Sequence, residues 1–215
     1  HVTVNPTMLA AWLQTVASGG LLNGELNDLG DKEDLETMEE LPMPNPPCPM
    51  PHAPFPMPHA QSPMPHAPFP IQYAHARCCS LLRLAHREGL ITLEPEPDNN
   101  LFPERIIAPN PLPWLDSDGQ LCLVHPAENR LIDKLVQVID DLYCGSPQQR
   151  VNWEKTALDL SAAFGNFWAD CRIWGELKGN CKNLAQARLG LIMVTQSVFR
   201  LLLQDCLGVE AALEL

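Results

Sequence analysis

Ile71-Gln-Tyr-Ala-His-Ala-Arg-Cys-Cys-Ser-Leu-Leu-Arg83 is followed by Leu84, Ala85, His86, Arg87 and Glu88, and the spacing of its apolar side chains predicts a helix from about Gln72 to Glu88. With each residue advanced by about 100°, Ala74, Cys78, Leu81, Leu82 and Ala85 fall within about 100° of arc and form a core-facing stripe. On the other side Tyr73, Arg77, Arg83 and Arg87 share an arc of about 120°. Three cations and an aromatic on one face suit contact with a polyanion whose bases are exposed for stacking. The same face would also serve simply as a solvated surface.

Three more helical patterns follow toward the C-terminus. One starts near Pro126, with Glu128 in its first turn where a carboxylate complements the helix dipole, and continues through Leu131/Ile132, Leu135, Val138/Ile139 and Leu142. After Pro147 the chain restarts. Trp153, Ala157, Leu160, Phe164, Phe167/Trp168, Cys171 and Trp174 then trace one apolar stripe over about six turns. In the last pattern Asn183 is the expected N-cap, with Gln186 reaching back to it. Leu184, Ala187, Leu191, Val194, Val198 and Leu201 supply the apolar positions, and Gly208 the left-handed stop. Residues 90–125 are irregular and proline-rich, apart from an expected small hairpin around Asp118-Gly119. No strand-crossover-strand pattern occurs, so the expected fold class is all-α, a bundle of long antiparallel helices.

Residues 1–22 read as a short helical remnant, with Asn5 as N-cap, Pro6 at the first helical position and Gly19-Gly20 as the stop. Residues 23–70 read as a disordered linker, acidic and then proline-rich. Glu25–Glu40 carries eight acids against one Lys, and residues 42–70 hold 13 of the 22 prolines. A seven-residue repeat runs through that second part: Pro49-Met-Pro-His-Ala-Pro-Phe55, Pro56-Met-Pro-His-Ala-Gln-Ser62 and Pro63-Met-Pro-His-Ala-Pro-Phe69. Proline at this density is incompatible with an α-helix interior and leaves polyproline II or disorder. The repeat aligns His52, His59 and His66, which is compatible with weak metal binding or titration near neutrality; a spacer made by tandem duplication is the simpler reading.

The composition narrows the function. The 215 residues carry 14 Lys+Arg, 26 Asp+Glu and a formal charge of −12, which excludes a generally basic nucleic-acid coat and makes any RNA site a local patch. Past residue 70 the balance is 13 Lys+Arg against 18 Asp+Glu, a milder −5. No run of 18 apolar residues and no signal-peptide pattern occurs, so a soluble, cytoplasmic protein without membrane contact is expected. None of the eight cysteines forms a C-x-x-C pair; free buried thiols are expected, and no metal site. Phosphate-binding loops, His-Glu-x-x-His and nucleophile-elbow motifs are also missing, so no catalytic residue is assigned. The first residue is His, from which a longer product is expected.

The run Ile71–Arg83 resembles the start of the DALR-type anticodon-binding domain of bacterial arginyl-tRNA synthetases. Further segments resemble that family in the same order. They are Pro126-Ala-Glu128 with Leu131-Ile-Asp-Lys-Leu135, Leu160-Ser-Ala-Ala-Phe-Gly-Asn-Phe-Trp-Ala-Asp-Cys-Arg-Ile173, Ala187-Arg-Leu, and Leu207-Gly-Val209. The resemblance covers about two thirds of the chain, residues 71–215, with 90–125 as an insertion. Gly165 and Asn166 stand where the family prefers Asn and a variable residue, Trp168 replaces Tyr, and the chain ends in Ala-Ala-Leu-Glu-Leu215.

The resemblance implies a helical domain that binds tRNA, arginine-type, through the anticodon stem-loop. The residues it and the basic face put forward are Tyr73, His75, Arg77, Arg83, Arg87, Asn166, Trp168 and Arg172. The two signatures of class I synthetases, His-x-Gly-His and Lys-Met-Ser-Lys-Ser, do not occur in these residues. The expectation is therefore a stand-alone paralogue lacking the catalytic domain, with no cofactor of its own. ATP and Mg would belong to a catalytic domain elsewhere, and a synthetase or another protein is a further expected partner. The rival expectation is a repurposed helical interaction or assembly domain that no longer binds RNA.

Overall fold

The structure is a computed structural model that describes residues 5–18, 68–94, 105–143, 151–174 and 182–214. The acidic run, most of the histidine repeat, Cys48, Cys144 and Cys181 lie outside the described residues.

Among the described residues five α-helices make the bundle: α1 (Pro6–Ala17), α2 (Pro68–Arg87), α3 (Pro126–Tyr143), α4 (Trp153–Asp170) and α5 (Lys182–Leu201). A π-helical turn, Leu202–Cys206, continues α5. Between α2 and α3, β1 (Thr92–Leu93) and β2 (Ile106–Ala108) pair antiparallel. An isolated bridge joins Leu115 to Leu121 around the Asp118-Gly119 turn, where Gly119 has φ 73°.

The centre of the bundle is α5. Every residue from Ala185 to Phe199 is buried, polar ones included, as expected of a helix surrounded on all sides. By length and composition Lys182–Cys206 is apolar enough to cross a membrane, and its enclosure explains that composition: α1, α2 and α3 all pack on it, while α4 packs on α2 and α3. Its polar members bond inward: the Thr195 hydroxyl donates to the Leu191 carbonyl at 2.7 Å, and the Gln186 amide to the Leu90 carbonyl at 2.7 Å.

Gln186 does not form the reciprocal cap expected of it. The helix begins at Lys182, so Asn183 lies within its first turn, and the Gln186 side chain satisfies the backbone of the segment after α2 instead. Trp174 also departs from expectation. At Cys171 the backbone turns extended, φ −108° and ψ 100°, and ends α4. Trp174 is therefore outside the helix, yet still meets Trp168 edge-on at 6.2 Å.

The N-terminal helix forms as its sequence implies, with Asn5 capping Thr7 N–H at 3.0 Å and Pro6 in the first turn. Its Leu13 and Val16 are fully buried in the common core. Gln14 Oε1 accepts from both the Leu112 backbone N–H and the Trp114 indole, each at 3.0 Å. So α1 and the irregular segment before α3 are fastened to one another as well as to α5. Gly208, with φ 63°, supplies the expected left-handed residue after the π-turn.

Candidate nucleic-acid interface

On the outer side of the α2–α4 contact lies a cavity of about 330 Å³, lined by Tyr73, Ala74 and Arg77 from α2 and Ser161, Phe164, Gly165 and Trp168 from α4. The Arg77 guanidinium carbon stands 4.9 Å over the Trp168 ring, and the same guanidinium reaches the Tyr73 hydroxyl at 3.4 Å. A cation over an aromatic face is an electrostatic attraction worth roughly 0.5–1 kcal/mol at an exposed site. Here it orients a planar charged group beside a phenol ring that is 50% exposed. Among the described residues nothing that lines the cavity is acidic.

The local sequence explains this arrangement. Tyr73 and Arg77 are one helical turn apart on α2, and Ser161, Gly165 and Trp168 recur at intervals of four and three on α4, so each set shares a face. That spacing is the signal by which Ser161 and Gly165 were recognisable; the apolar stripe of α4 drew attention to Phe164 and Trp168 and passed over them. Gly165 sits inside a helix with nothing within 4 Å of where a Cβ would stand. No close approach requires a glycine there, and its effect is to leave the cavity open.

The other expected site residues are placed differently. Asn166 and Arg172 are exposed, beside and beyond the C-terminal half of α4, and Arg87 is exposed at the end of α2. Arg83 is committed to the C-terminal segment: its guanidinium donates to the Leu213 carbonyl at 3.1 Å and pairs with Glu214 at 3.2 Å. With Gln72 donating to the Glu210 carbonyl at 3.1 Å, it holds residues 210–214 along α2. Arg83 therefore does not share the open face with Arg77.

His75 is in the core. It is fully buried, with Nδ1 2.9 Å from the Ala212 carbonyl and Nε2 3.1 Å from the Gln196 amide. These partners fit the neutral ring with its proton on Nδ1, donating to Ala212 and accepting from Gln196. Burial holds its pKa below 6.5, opposed by the Ala212 hydrogen bond and reinforced by the Arg200 charge. Cys79 lies beside it at 3.8 Å, and burial raises that thiol to about 11. On the helical wheel His75 falls only about 20° beyond Leu82, which puts it on the core side. Its place in the resembling motif, and not its position, made it a surface candidate.

A buried ion pair joins α3 to α5. Glu128 Oε1 accepts from Arg188 Nε at 2.6 Å, with Glu128 wholly buried. Glu128 Oε2 accepts from the His125 backbone N–H at 2.8 Å, and His125 Nδ1 in turn accepts from the Ala127 N–H at 3.2 Å, a reciprocal cap at the start of α3. Arg188 also donates to the Arg172 carbonyl. The segment that leaves α4 is thereby tied to α3 and α5. Removing either partner would strand a buried charge, typically at a cost of about 3–5 kcal/mol. Among the described residues no group of three His, Cys, Asp or Glu side chains is placed to hold a metal ion.

Comparison with known proteins agrees with this architecture. The DALR anticodon binding domain family matches residues 71–215. Arginine–tRNA ligase of Gloeobacter violaceus is 32% identical over 144 residues, and that of Heliobacterium modesticaldum 32% over 141 residues. Arginine–tRNA ligase of Synechococcus sp. is 29% identical over 143 residues. In each case the match takes in 65% of this chain and 21% of the relative, so the chain spans about a fifth of the length of the curated proteins it matches. No solved structure matches the chain. Helical architecture and a family match over most of the chain agree: through residues 71–215 the chain belongs to the DALR anticodon binding domain family, related to the arginyl-tRNA synthetases.

Proposed function

We propose that the chain is a tRNA-binding module that receives the anticodon stem-loop of an arginine-type tRNA at the α2–α4 face. The observation that carries this reading is the Arg77 guanidinium held over Trp168 beside exposed Tyr73, at the mouth of a cavity free of carboxylates. Unstacked bases in a loop present π-faces to such groups, and phosphates meet the guanidinium edges. Arg87 and Arg172, both exposed, are assigned as phosphate contacts in this reading. Asn166, adjoining Gly165, supplies an amide for a base edge.

Aminoacyl transfer is assigned to no residue of this chain. The relatives named as ligases are about five times longer than the matched segment, and the 215 residues contain neither class I signature. In this reading the chain contributes binding, while any ATP or Mg chemistry belongs to a separate catalytic domain. The test is equilibrium binding of a fluorescent arginine-type anticodon stem-loop RNA to the chain and to Arg77→Ala. Salt-dependent binding that weakens at least fivefold in the variant supports the reading. Equal affinity of both proteins contradicts it, as does failure of the unaltered chain to bind at low salt.

A further inference from the structure

Helix α2 starts at Pro68, ahead of residue 71 where the family match begins. The extra turn is built from the end of the last repeat unit, Pro68-Phe69, and the Pro70 that follows it. Proline is tolerated in a first turn because its missing N–H would have no helical partner and its fixed φ suits the helix. The turn displays Phe69, which is 61% exposed. A lone exposed apolar residue needs no explanation, but Phe69 is not alone.

Phe69, Tyr73 and Arg77 follow one another at intervals of four, so they climb one face of α2 in steps of about 6 Å. Each carries a planar group, and Trp168 stands across from the third. A base inserted between two rings needs about twice the roughly 3.4 Å separation of stacked bases. Side chains on successive turns are anchored about 5–6 Å apart at Cβ, a spacing of the same order, and the Tyr73 hydroxyl is engaged by Arg77 at 3.4 Å, one turn further from Phe69. Residues that only lie against one another need no such regular ladder ending in a cation.

We infer that Phe69 adds a base-stacking position to the proposed RNA face, taking one unpaired nucleotide of an RNA loop between its ring and Tyr73. The inference rests on the tRNA-binding reading above and adds a contact that lies outside the matched family segment. The bound class is single-stranded RNA in a loop, since a base held in a duplex has no free π-face to insert.

The test compares a stem-loop RNA carrying an arginine-type anticodon with a fully paired RNA duplex of the same stem. Each is titrated against the full chain and against Phe69→Ala, Phe69→Leu and Phe69→Tyr. Loss of one stacked base predicts about 5- to 150-fold weaker stem-loop binding for Phe69→Ala and Phe69→Leu. Phe69→Tyr stays within about twofold of the unaltered chain, and duplex binding does not change. Should Phe69→Ala lower the unfolding midpoint, Phe69→Leu carries the comparison, because it keeps apolar bulk and removes only the ring. Stem-loop affinity unchanged in Phe69→Leu, with Arg77→Ala still impaired, overturns this inference and leaves the RNA reading standing. No binding by the unaltered chain overturns both.

Discussion

Arg77 and Gly165 face one another across the same cavity and contribute in opposite ways, one by a charge held in place and the other by a side chain left out. A glycine inside a helix is less stable than alanine there by about 1 kcal/mol, and the space above Gly165 is open. Gly165→Ala should therefore raise stability in urea by up to about 1 kcal/mol while weakening stem-loop RNA binding; a variant both destabilised and tighter binding would contradict that role. His75 makes a second residue-scale prediction. Its pKa is lowered in the folded protein by burial, so below pH 6.5 the unfolded chain takes up a proton that the fold refuses. The stability it contributes is complete above pH 6.5 and declines as pH falls toward the lowered folded value. Unfolding free energy between pH 7.5 and 5.5 should fall more steeply for the unaltered chain than for His75→Asn, whose amide can still donate to Ala212. Parallel curves would show that the imidazole is not the titrating group.

At the scale of elements, helices with one apolar stripe were legible and contacts between distant segments were not. The periodicity of residues 126–142 places α3 correctly, because burial on one side leaves a period of about 3.6 in the sequence. The capping pattern at Asn183 misleads because Gln186 has a stronger claim on it from the Leu90 carbonyl, 96 residues away in sequence. Trp174 keeps its apolar partner without keeping the helix, since a stripe records burial and not backbone conformation. The docking of the irregular segment is likewise invisible in local pattern. It depends on Gly190 of α5, where an added Cβ would stand 2.6 Å from the Trp114 ring and 2.8 Å from Leu112. Trp114 cannot easily withdraw, being bonded to Gln14 at 3.0 Å. Gly190→Ala should cost about 1–3 kcal/mol by overpacking and raise the exposure of Trp114 to fluorescence quenchers. Unchanged stability would mean that the segment repacks freely. Of the residues lining the cavity, Tyr73 and Arg77 were named from type and spacing and Trp168 through the resemblance, whereas the commitment of Arg83 to residues 213–214 required knowing where the C-terminal segment runs.

For the molecule as a whole, composition asks how a chain of −12 would meet the proposed RNA. In the proposed reading the cavity would do so locally, with a guanidinium and aromatic rings and, among the described residues, no acid in its lining. The Glu25–Glu40 run adds long-range repulsion whatever its conformation, and that repulsion is screened within about 10 Å at 0.1 M salt. Replacing its acids by Gln and Asn should speed tRNA association at low ionic strength and have little effect at high ionic strength; an effect independent of salt would point to a direct contact instead. Selection of tRNA by the α2–α4 face can be measured by passing unfractionated tRNA over the immobilised chain and over Arg77→Ala, then sequencing what each retains. Arginine tRNAs should be enriched on the unaltered chain and lost from the variant. Retention without preference among tRNAs, or the same retention on both proteins, would contradict it.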